Sequence, residues 1–292
     1  MNQIYTLDFP IRFADCDPAG IAYFPRLMEM VNHCTEAWFG EAVGIPFRRF
    51  HLELKQGIPV VNTRVEFLKA CQIGEHIHWE LAIESLGRSS ILFRISGSVE
   101  GEPRMRLRHK VAMIGGEPIR AIPIPDELRV KMEPFVIAGA EKTPEPVTHD
   151  GNIPPNAFVS RQLVRFSHCD PAGIVFYPRF FDMFNAAQED WFAQGLDCPW
   201  GGDYMGPRNL RLPSLNITAE FIRACRMSET IAFHLWVTRL GRSTLELALE
   251  GRVEGETRLR AALTDCVIDF AKFKSTPIPE DLRARMQAFL PV

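Results

Sequence analysis

Two aspartates of this chain sit in the same setting. Asp17 lies in Asp-Cys-Asp-Pro-Ala-Gly-Ile-Ala-Tyr-Phe-Pro and Asp170 in His-Cys-Asp-Pro-Ala-Gly-Ile-Val-Phe-Tyr-Pro. Each stands seven residues ahead of an aromatic, Phe24 or Tyr177, that immediately precedes a proline. Proline belongs in the first turn of a helix, where its missing N–H costs nothing, so each aromatic marks a helix start. A carboxylate beside a helix N-terminus is a chemically useful pair. The carboxylate can attack an electrophilic carbon or deprotonate a water. The N–H groups of the first turn lie at the positive end of the helix dipole and stabilise negative charge developing on an oxygen. The same residues also make an ordinary turn in which aspartate caps the helix, so the motif alone leaves both readings open.

The surrounding stretches, residues 12–30 and 165–183, are identical at eleven of nineteen positions with an offset of 153. Later anchors repeat with an offset of 154: Lys69-Ala70-Cys71 with Arg223-Ala224-Cys225, Gly87-Arg88-Ser89 with Gly241-Arg242-Ser243, and Pro125 through Arg129 with Pro279 through Arg283. One residue was therefore inserted between the first anchor and the rest. A period this long, present only twice in 292 residues, is a duplicated domain and not a solenoid. The stretch 138–155, Ala-Gly-Ala-Glu-Lys-Thr-Pro-Glu-Pro-Val-Thr-His-Asp-Gly-Asn-Ile-Pro-Pro, reads as a linker by composition. It separates domains at residues 1–137 and 156–292, each long enough for a core of its own.

The same elements must position the aspartate in each copy. A short alternating strand precedes the turn. A helix from about Pro25 to Val43 follows, with Leu27, Met30, Val31, Cys34 and Trp38 at helical spacing; Pro178, Phe181, Phe184 and Trp191 repeat it. Strands with period two come next. In Val60–Phe67 the spacing predicts Val61, Thr63, Val65 and Phe67 on the inward face. In His76–Glu84 it predicts Ile77, Trp79, Leu81 and Ile83 inward and His78, Glu80 and Ala82 outward. Tight turns such as Leu86-Gly87-Arg88 make consecutive strands antiparallel. One long helix against about five antiparallel strands per copy is an α+β domain.

The formal net charge of −3 gives no basic excess for nucleic acid. No run of eighteen apolar residues predicts a membrane span, and the N-terminal residues lack a signal-peptide pattern. Seven cysteines without C-x-x-C spacing read as reduced thiols of a cytoplasmic protein, with neither a zinc knuckle nor a dithiol site.

The two Asp-Pro-Ala-Gly-Ile strings, each closed by two aromatics and a proline, resemble the signature of 4-hydroxybenzoyl-CoA thioesterases and related hot-dog-fold acyl-CoA thioesterases. The resemblance covers both copies, including the helix, Gly57-Ile58-Pro59 before the first long strand, and the Ile-Pro-Asp-Glu-Leu and Ile-Pro-Glu-Asp-Leu segments. It implies a tandem hot-dog fold, each half a curved antiparallel sheet wrapped around one helix. It also implies halves that pair edge to edge as an intramolecular pseudo-dimer with active sites at their interface, and it is compatible with a further homo-oligomer. The implied activity is hydrolysis of an acyl-CoA, aromatic acyl groups favoured, with coenzyme A as part of the substrate and no separate cofactor or metal. By the same resemblance Asp17 and Asp170 are the catalytic carboxylates, as nucleophile or general base. The backbone N–H groups of Phe24 and Tyr177 polarise the thioester carbonyl.

Gly57 then lets substrate pass close to the backbone, while Arg211 occupies its place in the second copy and puts the equivalence of the two sites in doubt. Arg88 with Ser89 and Arg242 with Ser243 are candidates for the coenzyme A phosphates, ahead of Lys69 and Arg223. Trp38, Phe39, Trp191 and Phe192 are expected in the core. Asp15 aligns with His168, so that position is not expected to share chemistry. His33 aligns with Ala186 and is read as structural. Glu36 and Glu189 correspond on the helix and are the second choice for the carboxylate. The alternatives are a non-catalytic acyl-CoA binding module and, ranked lower, a hot-dog hydratase or dehydratase, which would need a histidine that recurs in both copies.

Overall fold

The structure, a computed structural model, describes residues 3–117, 120–137, 149 and 151–291. The chain divides into two compact units, residues 1–146 and 147–292. Of the linker expected over 138–155, residues 138–148 and 150 lie outside the described residues.

In the first unit the principal elements are β1 (Tyr5–Pro10), α1 (Phe24–Glu41), β2 (Val60–Phe67), β3 (His76–Leu86), β4 (Ser90–Val99), β5 (Glu102–Ala112) and α2 (Asp126–Met132). The strands pair antiparallel in the order β1-β3-β4-β5-β2. The second unit repeats this with β6 (Phe158–Leu163), α3 (Tyr177–Asp190), β7 (Ser214–Phe221), β8 (Thr230–Leu240), β9 (Thr244–Val253), β10 (Glu256–Cys266) and α4 (Glu280–Gln287). Its strand order is β6-β8-β9-β10-β7.

The long helix forms because its apolar residues recur every three or four positions and leave one face to bury. Leu27, Val31, Cys34 and Trp38 of α1 are buried. The Trp38 ring meets Phe93 of β4 edge-on at 5.4 Å and Phe135 at 5.7 Å. In α3 the Phe184 ring packs on Phe233 of β8 at 6.1 Å. Trp191 and Phe192 are fully buried as expected, but they belong to a π-turn, Trp191–Gly195, that continues α3.

The alternation in β2 departs from its expected phase. Val60 pairs with Val111 and Asn62 with Lys110, so Val61 is the extra residue of a β-bulge. Val60 is buried with Thr63 and Val65, whereas Val61 and Phe67 are only half-buried. The bulge moves the inward position back by one residue. In β3, Ala82 is buried although the alternation placed it outward, and the register shifts between Ile83 and Ser85.

Candidate active site

Each Asp-Pro-Ala-Gly segment folds as a hydrogen-bonded loop between the first strand and the helix. The Asp17 N–H donates to the Ile21 carbonyl at 3.0 Å and the Gly20 N–H returns to the Asp17 carbonyl at 2.9 Å. The Asp17 side chain is held by the Ala19 N–H, which donates to Oδ1 at 2.7 Å. Gly20 sits at φ +74°, a left-handed conformation that a side chain would strain. The loop is anchored to the turn before β3 by the Ala22 N–H, which donates to the Cys71 carbonyl at 2.8 Å, and by the Gly74 N–H, which donates to the Ile11 carbonyl at 2.9 Å.

The second unit reproduces this bond for bond. Ala172 N–H donates to Asp170 Oδ1 at 2.9 Å, Asp170 N–H to the Ile174 carbonyl at 2.9 Å, and Val175 N–H to the Cys225 carbonyl at 2.9 Å, with Gly173 at φ +78°. Both aspartates are half-buried. Phe24 and Tyr177 are the first residues of α1 and α3, followed by Pro25 and Pro178. Their N–H groups point along the helix axis at its positive end. The Phe24 ring lies 6.0 Å from that of Phe67, at the last residue of β2.

Asp15 and His168, unmatched in type, perform one structural task. The Arg12 N–H donates to Asp15 Oδ2 at 2.8 Å, and the Arg165 N–H donates to His168 Nδ1 at 3.1 Å. Each bond closes the short 3-10 turn ahead of the aspartate. Nδ1 accepts only while the imidazole is neutral. Burial, then Arg179 and Arg165, hold the His168 pKa below its ordinary 6.5. The bond therefore contributes in full above pH 6.5 and is lost as pH falls through the lowered value. In His168→Asp the loop keeps its cap on acidification. Thermal melts of that variant between pH 7.5 and pH 5 should lose about 1 kcal/mol less stability than wild type.

The Gly-Arg-Ser turns occupy the other end of the sheet. β3 begins beside the turn that anchors the Asp17 loop and ends at Leu86, one residue before Gly87. Its eleven residues separate the two ends by roughly 30–35 Å. Gly57 lies at this far end, bridged to Ile114, one residue beyond Met113, whose N–H donates to the Ser89 carbonyl. Within each unit the expected residues thus fall into two groups. Asp17 and Phe24 share one end of the first unit, and Gly57, Arg88 and Ser89 share the other. The second unit divides likewise, with Arg242 and Ser243 at the far end of β8.

Arg88 and Arg242 are exposed, and their side chains make no hydrogen bond or ion pair among the described residues. Their turns are braced from below by Arg129, which donates to the Gly87 carbonyl at 2.6 Å, and by Arg283, which donates to the Gly241 carbonyl. These two arginines close the repeated Pro-to-Arg segments, but the repetition alone gave no sign of what they hold. Lys69 and Arg223 are engaged elsewhere, with Glu102 at 2.7 Å and Glu256 at 3.0 Å.

Glu36 and Glu189 accept from Asn32 at 2.6 Å and Asn185 at 2.5 Å. The asparagines match between copies and were missed in the sequence. Burial raises the Glu189 pKa, opposed by the Asn185 bond. His33 is exposed with its ring 5.7 Å from Phe9.

Two buried polar pairs also escaped notice. In the first unit, Thr63 and His109 are paired in register on β2 and β5 and joined at 3.2 Å; burial pushes the His109 pKa down to about 3. Ile217 and Leu263 stand at their places in the second unit. Conversely, Ser214 and Asp265 pair on β7 and β10, the hydroxyl donating to Oδ1 at 2.7 Å, where the first unit has Val60 and Val111. Among the described residues, no group of three or more His, Cys, Asp or Glu is placed to hold a metal ion, and no helix is long and apolar enough to cross a membrane.

Family models match both units: a thioesterase-like superfamily model over residues 164–286 and a thioesterase superfamily model over residues 19–104. A 1,4-dihydroxy-2-naphthoyl-CoA hydrolase of Gloeothece citriformis is 31% identical over 99 residues, 33% of this chain and 68% of that protein. The chain belongs to the thioesterase superfamily. The hot-dog fold of that superfamily is present twice. The 4-hydroxybenzoyl-CoA thioesterase of Pseudomonas sp. strain CBS-3 is 29% identical over 133 residues, 43% of this chain and 94% of that protein. Among solved structures, the 12:0-ACP thioesterase of Umbellularia californica has a TM-score of 0.71 at 16% identity, covering 91% of this chain and 98% of its own. That likeness is one of fold.

Proposed function

We propose that this chain hydrolyses an acyl-CoA to the free acid and coenzyme A, with aromatic acyl groups favoured. The observation that carries the reading is the pair of Asp-Pro-Ala-Gly loops. Both hold a half-buried carboxylate by the same backbone donor and both run into the N-terminus of the long helix. In this reading Asp17 or Asp170 either attacks the thioester carbon, expelling the coenzyme A thiolate and leaving an anhydride that water opens, or takes a proton from the water that attacks. The N–H of Phe24 or Tyr177 stabilises the carbonyl oxygen as it gains negative charge, an interaction commonly worth about 3 kcal/mol. The exposed Arg88 and Arg242 with Ser89 and Ser243 are the groups offered to phosphate. The aromatic preference is supported by the names of two similar proteins, which act on 4-hydroxybenzoyl-CoA and 1,4-dihydroxy-2-naphthoyl-CoA.

The test is free-thiol release from benzoyl-, 4-hydroxybenzoyl- and short aliphatic acyl-CoA. The aromatic esters should be turned over with kcat/KM on the order of tenfold or more above the aliphatic ones. A chain that binds these esters and releases no thiol would be an acyl-CoA binding module instead.

A further inference from the structure

The outer face of the second unit's sheet carries a cluster that the proposed chemistry does not use. Phe233 of β8 packs on α3, so Ala232 and His234 on either side of it face away from the helix. Ala232 pairs with Arg161 of β6 on one side and with Arg252 of β9 on the other. Residues paired in register share a face, so the two arginines flank a single methyl group from strands about 10 Å apart. A cavity of about 420 Å³ lies here, lined by Arg161, Thr230, Ala232, His234, Arg252 and Glu254. Arg252 is pinned from one side: the fully buried Glu250 accepts from its Nε at 2.7 Å, and from Thr257 and Arg260 as well. Its Nη1 makes no hydrogen bond among the described residues. Arg161 is exposed, and its side chain makes no hydrogen bond or ion pair among the described residues. Burial, then the charges of Arg252 and Arg161, hold the His234 pKa below its ordinary 6.5 against the pull of Glu250. The first unit has neither guanidinium. Asp8, His78 and Ser98 stand in the same register, with Glu80 at the place of His234 and Ser96 at that of Glu250. There the His78 ring takes the place of the methyl group and is bonded to Asp8 at 2.9 Å.

We infer that the cavity between Arg161 and Arg252 binds a phosphate monoester that also carries hydroxyl groups. Two guanidinium groups on either side of a small residue can address one anion, and each Arg–phosphate contact is charge-assisted and matched in geometry. The neutral imidazole of His234 adds an N–H donor. The cavity exceeds what a phosphate group fills, so it has room for the rest of the ester. Glu254, at the turn between β9 and β10, and Thr230 accept from hydroxyls, whereas the Glu254 carboxylate repels a bare anion. A free sugar phosphate and the 3′-phosphorylated ribose of coenzyme A both have this chemistry. The inference does not need the acyl-CoA reading, because these residues face away from α3, whose N-terminus the Asp170 loop enters.

Isothermal titration of the full chain at fixed ionic strength tests this with ribose 5-phosphate, adenosine 3′,5′-bisphosphate, inorganic phosphate and ribose. Both esters should bind at least about tenfold more tightly than inorganic phosphate or ribose. The Arg161→Asp, Ala232→His double variant installs the pair that the first unit carries in the same register. It should weaken one equivalent of ester by about tenfold or more. Arg161→Gln changes a single exposed side chain, so it keeps the test readable if the double variant unfolds, and it should weaken the same equivalent by about fivefold. Tighter binding of the bisphosphate assigns the site to the nucleotide end of coenzyme A, and tighter binding of ribose 5-phosphate assigns it to a free sugar phosphate. No binding of either ester by wild type, or affinities unchanged in both variants, would overturn the inference.

Discussion

The Asp17→Asn, Asp170→Asn double variant is expected to lose acyl-CoA hydrolysis by about 10²–10⁴-fold in kcat, the range that a positioned acid or base contributes. The substitution isolates the chemistry because asparagine keeps an oxygen at Oδ1. The Ala19 and Ala172 N–H groups, which donate to that atom at 2.7 and 2.9 Å, retain their acceptor, so the loop and the helix start stay in place. What is lost is the negative charge and basicity. KM for the ester should then change little while kcat falls, as for an interaction made only in the transition state. The single variants should lose activity unequally, because Arg211 stands where the first unit has Gly57. A double variant as active as wild type would remove the aspartates from the reaction. In single-turnover hydrolysis in ¹⁸O-water, label carried into the aspartate carboxylate reports attack by Asp, with water opening the anhydride at the aspartyl carbon.

The loops were legible in the sequence because their chemistry is local. A glycine in the left-handed region, an aspartate two residues from the N–H it accepts, and a proline at the helix start all announce themselves within a dozen residues. The helix and the antiparallel run of β3, β4 and β5 were legible for a related reason, since both follow from periodicity and short turns; the placing of β1 beside β3 and of β2 beside β5 was not. What escaped depends on register. The β2 bulge needs no special residue, so Val60 and Val61 could not be told apart until Val111 and Lys110 chose their partners. The same holds for Thr63 with His109 and Ser214 with Asp265, which only strand pairing brings together. The separation of Asp17 from Arg88 and Gly57 was implicit, because β3 starts at one turn and ends at the other. Motifs scanned one at a time did not carry it. Arg211 was visible as a departure from glycine, but its stacking on Phe270 depends on two segments nearly sixty residues apart.

Replacing Ser214 and Asp265 together by valine should stabilise the second unit by an amount that grows with pH. The change installs the Val60–Val111 pair that the first unit carries at the same register. Asp265 is fully buried, its Oδ2 has no hydrogen-bond partner among the described residues, and its one hydrogen bond comes from a neutral hydroxyl. Tyr204 and Cys266 interact with it, and Arg211 interacts with Tyr204 but is committed to two carbonyls and Phe270. Burial pushes its pKa from 3.8 up to about 7, against the weaker pull of the Ser214 bond. The unfolded chain gives up this proton near pH 4, whereas the folded unit keeps it until about pH 7. The favourable term is therefore complete below pH 4, declines by about 1.4 kcal/mol for each pH unit above it, and is gone above about pH 7. The total is about 4 kcal/mol. Denaturant unfolding at pH 5 and pH 8 reads the difference: the gain of the double valine variant over wild type should be about 3 kcal/mol larger at pH 8. Equal gains at the two pH values would mean that Asp265 ionises in the folded unit as readily as in water. A cation, or water reaching Oδ2, would then have to stand beside it.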